Sequence, residues 1–296
     1  MKVLILQTIY EVFMKYLYYI GLILIILSTL SSCHSSKQGN AGRYVVLSPE
    51  IAEIIAALGS ADKIVGITQE CNYPAELQGK EIVGNFGAVK MEQVLNLNPE
   101  IVFTSALEQE SIAEDLRKLG IRVESSYPKT LAEMQTEITR IAKIIGREDK
   151  GRELVSTIAE HIEKVKDMAK GRPVPKVYLE IYRDPLMSVA DNSFVGELIE
   201  TAGGNNIFGT LERDYSRIKA EDVIQANPDI IICYSQDSLE GVLSRKGWGN
   251  IPAIRNVMVF FEGDIDPDII QRAGPRVIVG MIGLQEIYAL WERRTQ

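Results

Sequence analysis

Histidine and cysteine are scarce in this chain, and their scarcity removes most catalytic and metal-centred chemistries at the outset. Its 296 residues hold two histidines, His34 and His161, with no pair at metal-ligand spacing, which argues against a zinc or manganese site. His161 falls on a polar helix and reads as a solvated residue. The three cysteines include no Cys-x-x-Cys pair. Cys71 and Cys233, far apart in sequence, carry no disulfide framework and read as solitary thiols. A Gly-x-Ser-x-Gly elbow and a phosphate-cradling glycine loop are also missing. Positive charge is in deficit: 32 Lys and Arg against 40 Asp and Glu give a net charge of −8. That argues against a nucleic-acid partner, which needs a concentrated basic surface. No long block of like charge suggests a disordered tail. Beyond Cys33 no apolar run reaches the roughly 20 residues of a membrane span.

What is present begins at the N-terminus. Tyr16 to Leu30 is almost wholly apolar and follows Lys15, the pattern of a charged segment and an apolar core of roughly 7–15 residues in a secretory signal. It ends in Leu30-Ser31-Ser32-Cys33, which resembles the lipobox of bacterial lipoproteins, whose cysteine carries lipid and becomes the first mature residue. A transmembrane anchor is the competing reading, but Lys15 interrupts any longer apolar window. Met14-Lys15 opens a more typical signal than Met1 does, so residues 1–13 read as an over-long start. We therefore expect a signal over 1–32, lipidation at Cys33 and a small-residue polar tether over 33–42. The mature protein is expected in the periplasm or at the cell surface, lipid-anchored to a membrane.

The most informative feature is a repeat. Met91-Glu-Gln-Val-Leu-Asn-Leu-Asn-Pro-Glu-Ile-Val-Phe-Thr-Ser105 nearly matches Ala220-Glu-Asp-Val-Ile-Gln-Ala-Asn-Pro-Asp-Ile-Ile-Ile-Cys-Tyr234. Each reads as a short amphipathic helix, an Asn-Pro break and an apolar strand. Glu92 to Glu221 and Pro99 to Pro228 are each 129 positions apart, far beyond a solenoid unit of roughly 20–50 residues. Glu197-Leu-Ile-Glu-Thr-Ala-Gly203 also echoes Glu53-Ile-Ile-Ala-Ala-Leu-Gly59. The chain is thus two similar lobes, and two-lobed α/β proteins usually work in the groove between lobes. A 46% hydrophobic content suffices for two domains with separate cores.

Alternating strands and helices predict an α/β fold with mainly parallel sheets and helices on both faces. The N-terminal lobe spans 43–146. A connecting helix follows over 147–172, after a break at Gly146. Its single apolar stripe of Leu154, Ile158, Ile162 and Val165 suits a rod lying across both lobes. The C-terminal lobe spans 173–296. Ligands of open α/β sheets sit beyond the carboxyl ends of strands. That rule selects the loops at Ser48-Pro49, Gln69 to Tyr73, Asn85 to Gly87, Ser105 to Glu108, Tyr182 to Met187 and Gly263 to Arg272. Tyr73, Phe86 and Tyr215 offer faces for stacking. Asp266, Asp268 and Arg272 offer charge and hydrogen bonds.

From Arg43 to about Trp291 the chain resembles the cobalamin- and iron-siderophore-type, helical-backbone substrate-binding proteins of ABC importers. Leu47-Ser48-Pro49, the Gly84 to Val94 segment leading into Asn98-Pro99, the second Glu-x-Val-x-x-x-Asn-Pro at Glu221, and Arg272-Ala-Gly-Pro-Arg276 carry the resemblance. It implies two Rossmann-like lobes joined by one long helix, no enzymatic turnover, no cofactor and no bound metal. It also implies a monomer that serves a permease dimer with ATPase subunits. The family docks through one glutamate per lobe, and Glu92 and Glu221 fall on those positions. Equivalent carboxylates on equivalent helices suit a two-fold receptor. A helix-dipole role would explain either glutamate singly but not their repetition. The resemblance and the loop rule together give Ser48, Pro49, Tyr73, Phe86, Ser105, Tyr215, Asp268 and Arg272 as ligand-binding candidates. Phe86 and Tyr215 match aromatic positions of cobalamin binders, and Asp268 and Arg272 match polar ones. Glu70 and Ser105 depart, standing where aromatic rings can occur. A corrinoid is the expected ligand. The alternatives are a ferric siderophore or haem, met by Arg183, Arg213, Arg217 and Arg272. A chelatase or corrinoid-processing enzyme on the same scaffold, and a surface scavenger serving an outer-membrane partner, are the competing classes.

Overall fold

The computed structural model describes residues 42–106 and 108–295. The expected signal, Cys33 and nearly all of the tether lie outside the described residues.

Five strands of the N-terminal lobe form one sheet: β1 (Tyr44–Val46), β2 (Ile64–Ile67), β3 (Glu81–Ile82), β6 (Ile101–Ser105) and β7 (Val123–Ser126). Their order is β3-β2-β1-β6-β7 and every pair is parallel. A small antiparallel hairpin, β4 (Gly84–Asn85) and β5 (Ala88–Val89), interrupts the alternation. Tyr44 to Leu47 is buried throughout, as a strand covered by helices on both faces must be. The next helix, Pro49–Ala57, starts where the sequence places it: the Ile51 N–H donates to the Ser48 hydroxyl at 3.5 Å and Pro49 takes the first turn.

The C-terminal lobe repeats the scheme on four parallel strands. These are β8 (Lys176–Glu180), β11 (Asn205–Asn206), β13 (Ile230–Cys233) and β14 (Val259–Phe260), ordered β11-β8-β13-β14. An antiparallel unit of β9 (Tyr182–Arg183), β10 (Leu186–Val189) and β12 (Tyr215–Arg217) is added beside it. Strand alternation alone did not reveal this unit, because its strands are short and mixed in polarity. The parallel two-lobed α/β expectation holds.

The repeated module also holds in detail. Lys90 and Lys219 precede the helices Met91–Asn96 and Ala220–Ala226 in extended conformation. Val94 and Val223 are fully buried. Asn98 and Asn227 both take positive φ, +46° and +54°, the left-handed stop that asparagine tolerates before proline resumes an extended path.

Two helices form the spine: Leu131–Ile144 and Glu148–Ala169, separated at Gly146 with φ +69°. Ile158, Ile162 and Val165 of the apolar stripe are buried and Leu154 is partly so. The expectation of separate cores holds for the outer layers, with one cluster around Tyr178 and Trp248 in the C-terminal lobe and another around Leu47 and Val102 in the N-terminal lobe, and is corrected for the inner layers. One buried cluster runs from Ile55 and Ile138 through Ile162 to Val177 and Met281. The spine presents apolar side chains to both lobes, so their inner layers merge. Cys71 and Cys233 are free and buried, one in each lobe, and burial pushes the Cys71 thiol up to about 11.

The lobes are also clasped by charge. The buried Glu53, from the Pro49 helix, accepts from Arg276 Nε at 2.8 Å and Nη2 at 2.6 Å and from Arg272 Nη1 at 3.1 Å. Arg272 also donates to Asn72 Oδ1 and the Glu70 carbonyl, each at 3.0 Å, and pairs with Asp268 at 2.7 Å. Glu197, which echoes Glu53 in the other lobe, accepts from the Leu131 N–H at 2.6 Å. Each of the two equivalent glutamates thus reaches the opposite lobe.

Two stability outcomes follow. Glu53→Ala leaves two guanidinium groups facing each other with reduced compensation and is expected to cost about 3–5 kcal/mol; a urea midpoint close to wild type would contradict this. Gly151 packs so that an added Cβ would lie 2.5 Å from Ala142 Cβ. Gly151→Val should therefore separate the spine helices and lower the melting temperature, at a cost of about 1–3 kcal/mol; calorimetry checks it.

Candidate functional site: the interlobe cleft

Strand carboxyl ends of the N-terminal lobe, with loops from the other lobe, enclose a cavity of about 400 Å³, within the roughly 300–1,000 Å³ of small-molecule sites. From the N-terminal lobe come Pro49 and Glu50 after β1, Glu70 after β2, and Phe86 from the β4–β5 turn. Ser105 and Glu108 follow at the end of β6, and Tyr127, Pro128 and Lys129 after β7. The C-terminal lobe contributes Ser193 and Phe194 at the start of a helix, Asp214 and Tyr215 at the start of β12, and Pro267, Asp268, Gln271, Arg272 and Ala273.

Of the eight ligand-binding candidates, Pro49, Phe86, Ser105, Tyr215, Asp268 and Arg272 line this cavity. Ser48 does not. Its hydroxyl is buried as the helix cap. Tyr73 does not line it either, because its ring receives the Arg276 guanidinium at 4.3 Å beside the clasp. Of the four arginines proposed for an anionic chelate, Arg272 alone lines the cavity. Arg183 pairs with Asp237 at 2.9 Å, and Arg213 and Arg217 are exposed. The Tyr182–Met187 loop forms the β9–β10 turn instead of a cleft wall.

Several lining residues were missed. Tyr127 to Lys129 follow the end of β7 and fall under the same strand-end rule. Ser193 and Phe194 open the helix whose glutamate echoes Glu53, so the duplication itself pointed to them. Gln109 gave no sequence signal. It is fully buried and ties three cleft loops together: Oε1 accepts from the Ser105 N–H at 2.8 Å, while Nε2 donates to Leu47 O at 3.1 Å and Phe86 O at 2.9 Å.

The cleft is acidic. Five carboxylates line it, Glu50, Glu70, Glu108, Asp214 and Asp268, against two cations, Lys129 and Arg272. Both cations are engaged: Lys129 bridges to Asp214 at 2.7 Å, and Arg272 to Asp268 and Glu53. Glu50, Glu70 and Glu108 have no cation partner among the described residues. Glu108 accepts from the Ser105 hydroxyl at 3.2 Å, and Glu70 Oε2 is buried without a hydrogen-bond donor among the described residues. Desolvation pushes the Glu50 carboxyl up, opposed by the Ser48 hydroxyl, a backbone N–H and Arg272, and reinforced by Glu108. Desolvation also raises the Tyr215 phenol to about 12, so it stays neutral and can donate. No three His, Cys, Asp or Glu side chains among the described residues come together as metal donors. A cavity with aromatic faces and acceptor-rich walls can hold a flat, donor-bearing molecule.

Residues 45–265 match the family model of periplasmic binding proteins. An uncharacterized ABC transporter substrate-binding lipoprotein of Bacillus subtilis, YvrC, is 29% identical over 252 residues, 82% of this chain and 79% of that protein. Among solved structures, the periplasmic vitamin B12 binding protein BtuF of Vibrio cholerae superposes with a TM-score of 0.73 at 20% identity, covering 86% of this chain and 98% of that one. The periplasmic heme-binding protein RhuT of Roseiflexus sp. RS-1 gives 0.75 at 24% identity, covering 87% and 100%. With its two parallel-sheet lobes around one cleft, the chain belongs to the periplasmic binding protein family, as a substrate-binding component of an ABC importer and not an enzyme.

Proposed function

We propose that this protein captures a corrinoid in the interlobe cleft and delivers it to a permease dimer, while anchored to the membrane through lipid on Cys33. The charge of the cleft carries the choice of ligand. Its carboxyl-rich wall, where Glu50, Glu70 and Glu108 have no cation partner among the described residues, is poorly matched to the acidic groups of haem or of an anionic ferric chelate, and both cleft cations are already paired. A corrinoid ring bears amide side chains, whose N–H groups suit carboxylate acceptors. Phe86 and Tyr215 supply flat apolar faces. Similarity to vitamin B12-binding proteins supports the reading. Similarity to heme-binding ones makes haem the alternative to test.

Delivery is assigned to Glu92 and Glu221. Both are exposed, each in the first turn of its helix. Matching carboxylates on twin lobes suit a receptor with two equivalent subunits. The lipobox and the lipoprotein description of the Bacillus subtilis relative support the anchor.

Mixing the purified mature protein with cobalamin, haem or ferric chelates, then desalting and reading visible absorbance, is expected to retain one corrinoid per chain; retention of haem or iron chelate instead would sink the assignment. Phe86→Ala and Tyr215→Ala should each weaken corrinoid binding about tenfold, through lost stacking and contact area. Acidity supplies a further check. The carboxylates accept hydrogen bonds best when ionised, so affinity should fall as pH drops. The fall should begin above the ordinary glutamate value of about 4.3, because desolvation raises Glu50. Glu50→Gln should flatten that part of the profile in titration calorimetry between pH 7 and 4.5. An unchanged profile would show that Glu50 does not contact ligand.

A further inference from the structure

The repeated module carries a second matched pair besides its glutamates. Leu95 and Ile224 stand 129 positions apart, as Glu92 and Glu221 do, and they are exposed at 42% and 37%. Each follows its glutamate by three residues, so acid and aliphatic side chain share one helix face. Lys90 and Lys219, two positions before the glutamates, do not share that face. The buried Val94 and Val223 hold each short helix against its lobe, which fixes the direction in which the outer face points. Neither glutamate has a hydrogen bond or ion pair among the described residues. One exposed leucine needs no explanation on a protein surface. Exposed branched aliphatics at both equivalent positions, each beside a free carboxylate, do.

We propose that Leu95 and Ile224 are the apolar half of a two-part contact with the membrane permease. Each seats in an apolar recess next to the cation that meets the neighbouring glutamate. The proposal rests on the docking role of Glu92 and Glu221. A permease built from two equivalent subunits presents the same cation and recess twice, matching the two knobs. The division of labour follows from physics. Charge accelerates encounter and sets register, and weakens with salt. Burial of the aliphatic groups holds the complex once formed, and is insensitive to screening.

The test uses the permease–ATPase complex purified from cells that make this protein, held in lipid nanodiscs and titrated with the mature protein at several salt concentrations. Leu95→Gln with Ile224→Gln retains helix propensity and should weaken docking about tenfold, with the salt dependence of wild type and a faster dissociation rate. Glu92→Gln with Glu221→Gln should weaken docking and flatten the salt dependence. If the glutamine-for-aliphatic variant docks like wild type while the glutamate variant does not, the apolar contact is overturned and the glutamate reading stands. If that variant instead loses salt dependence, the aliphatics only position the glutamates and the proposal fails. If both variants dock like wild type, the docking assignment itself falls. Circular dichroism and ligand affinity equal to wild type establish that each variant is folded.

Discussion

Two guanidinium groups from one lobe converge on a single buried carboxylate of the other, and one of them, Arg272, also lines the cleft. Glu53 receives Arg272 and Arg276. Desolvating such a group costs several kcal/mol unless partners compensate it, and here two do. Arg272 then has little freedom left. Its remaining bonds run to Asn72, the Glu70 carbonyl and Asp268, so the cleft floor is pinned by the same ion cluster. On the other side, Lys129 reaches Asp214 and the Leu131 N–H reaches Glu197. The cavity lies between these clasps.

The clasps also decide the electrostatics. A guanidinium committed to Glu53 and Asp268 is not available to neutralise an incoming anion, and the Lys129 ammonium is committed to Asp214. The cleft therefore keeps Glu50, Glu70 and Glu108 without a cation partner among the described residues. Proteins of this fold include a vitamin B12 binding protein and a heme-binding protein. Selectivity comes from which side chains the scaffold leaves unpaired, not from the scaffold itself.

Duplication gives the molecule two kinds of matched feature with opposite orientations. Glu53 and Glu197 turn inward and join the lobes. Glu92 and Glu221, with Leu95 and Ile224, turn outward. Inward pairs become rigid because burial demands partners. The outward side chains stay exposed, and the two glutamates have no ion-pair partner among the described residues. The merged core along the spine joins the two lobes through shared buried side chains.

The linear pattern by itself determined the number of lobes, their parallel strand–helix build, the spine and its break, and the repeated module with its glutamates. These are local or periodic properties: alternation of apolar residues, Ser48 and Pro49 at a helix start, asparagine at a left-handed stop. It also selected most cleft residues, because strand ends announce themselves. Only the tertiary structure decided that Ser48 and Tyr73 do not line the cavity, that three of the four proposed arginines lie elsewhere, and that the inner core layers merge. The same holds for Gln109 and for the Glu53 clasp. Glu53 and Arg276 are 223 residues apart, and nothing in the chemistry of either names the other. Which charges cancel, and hence which remain to greet a ligand, is a property of distances that exist only after the lobes have packed.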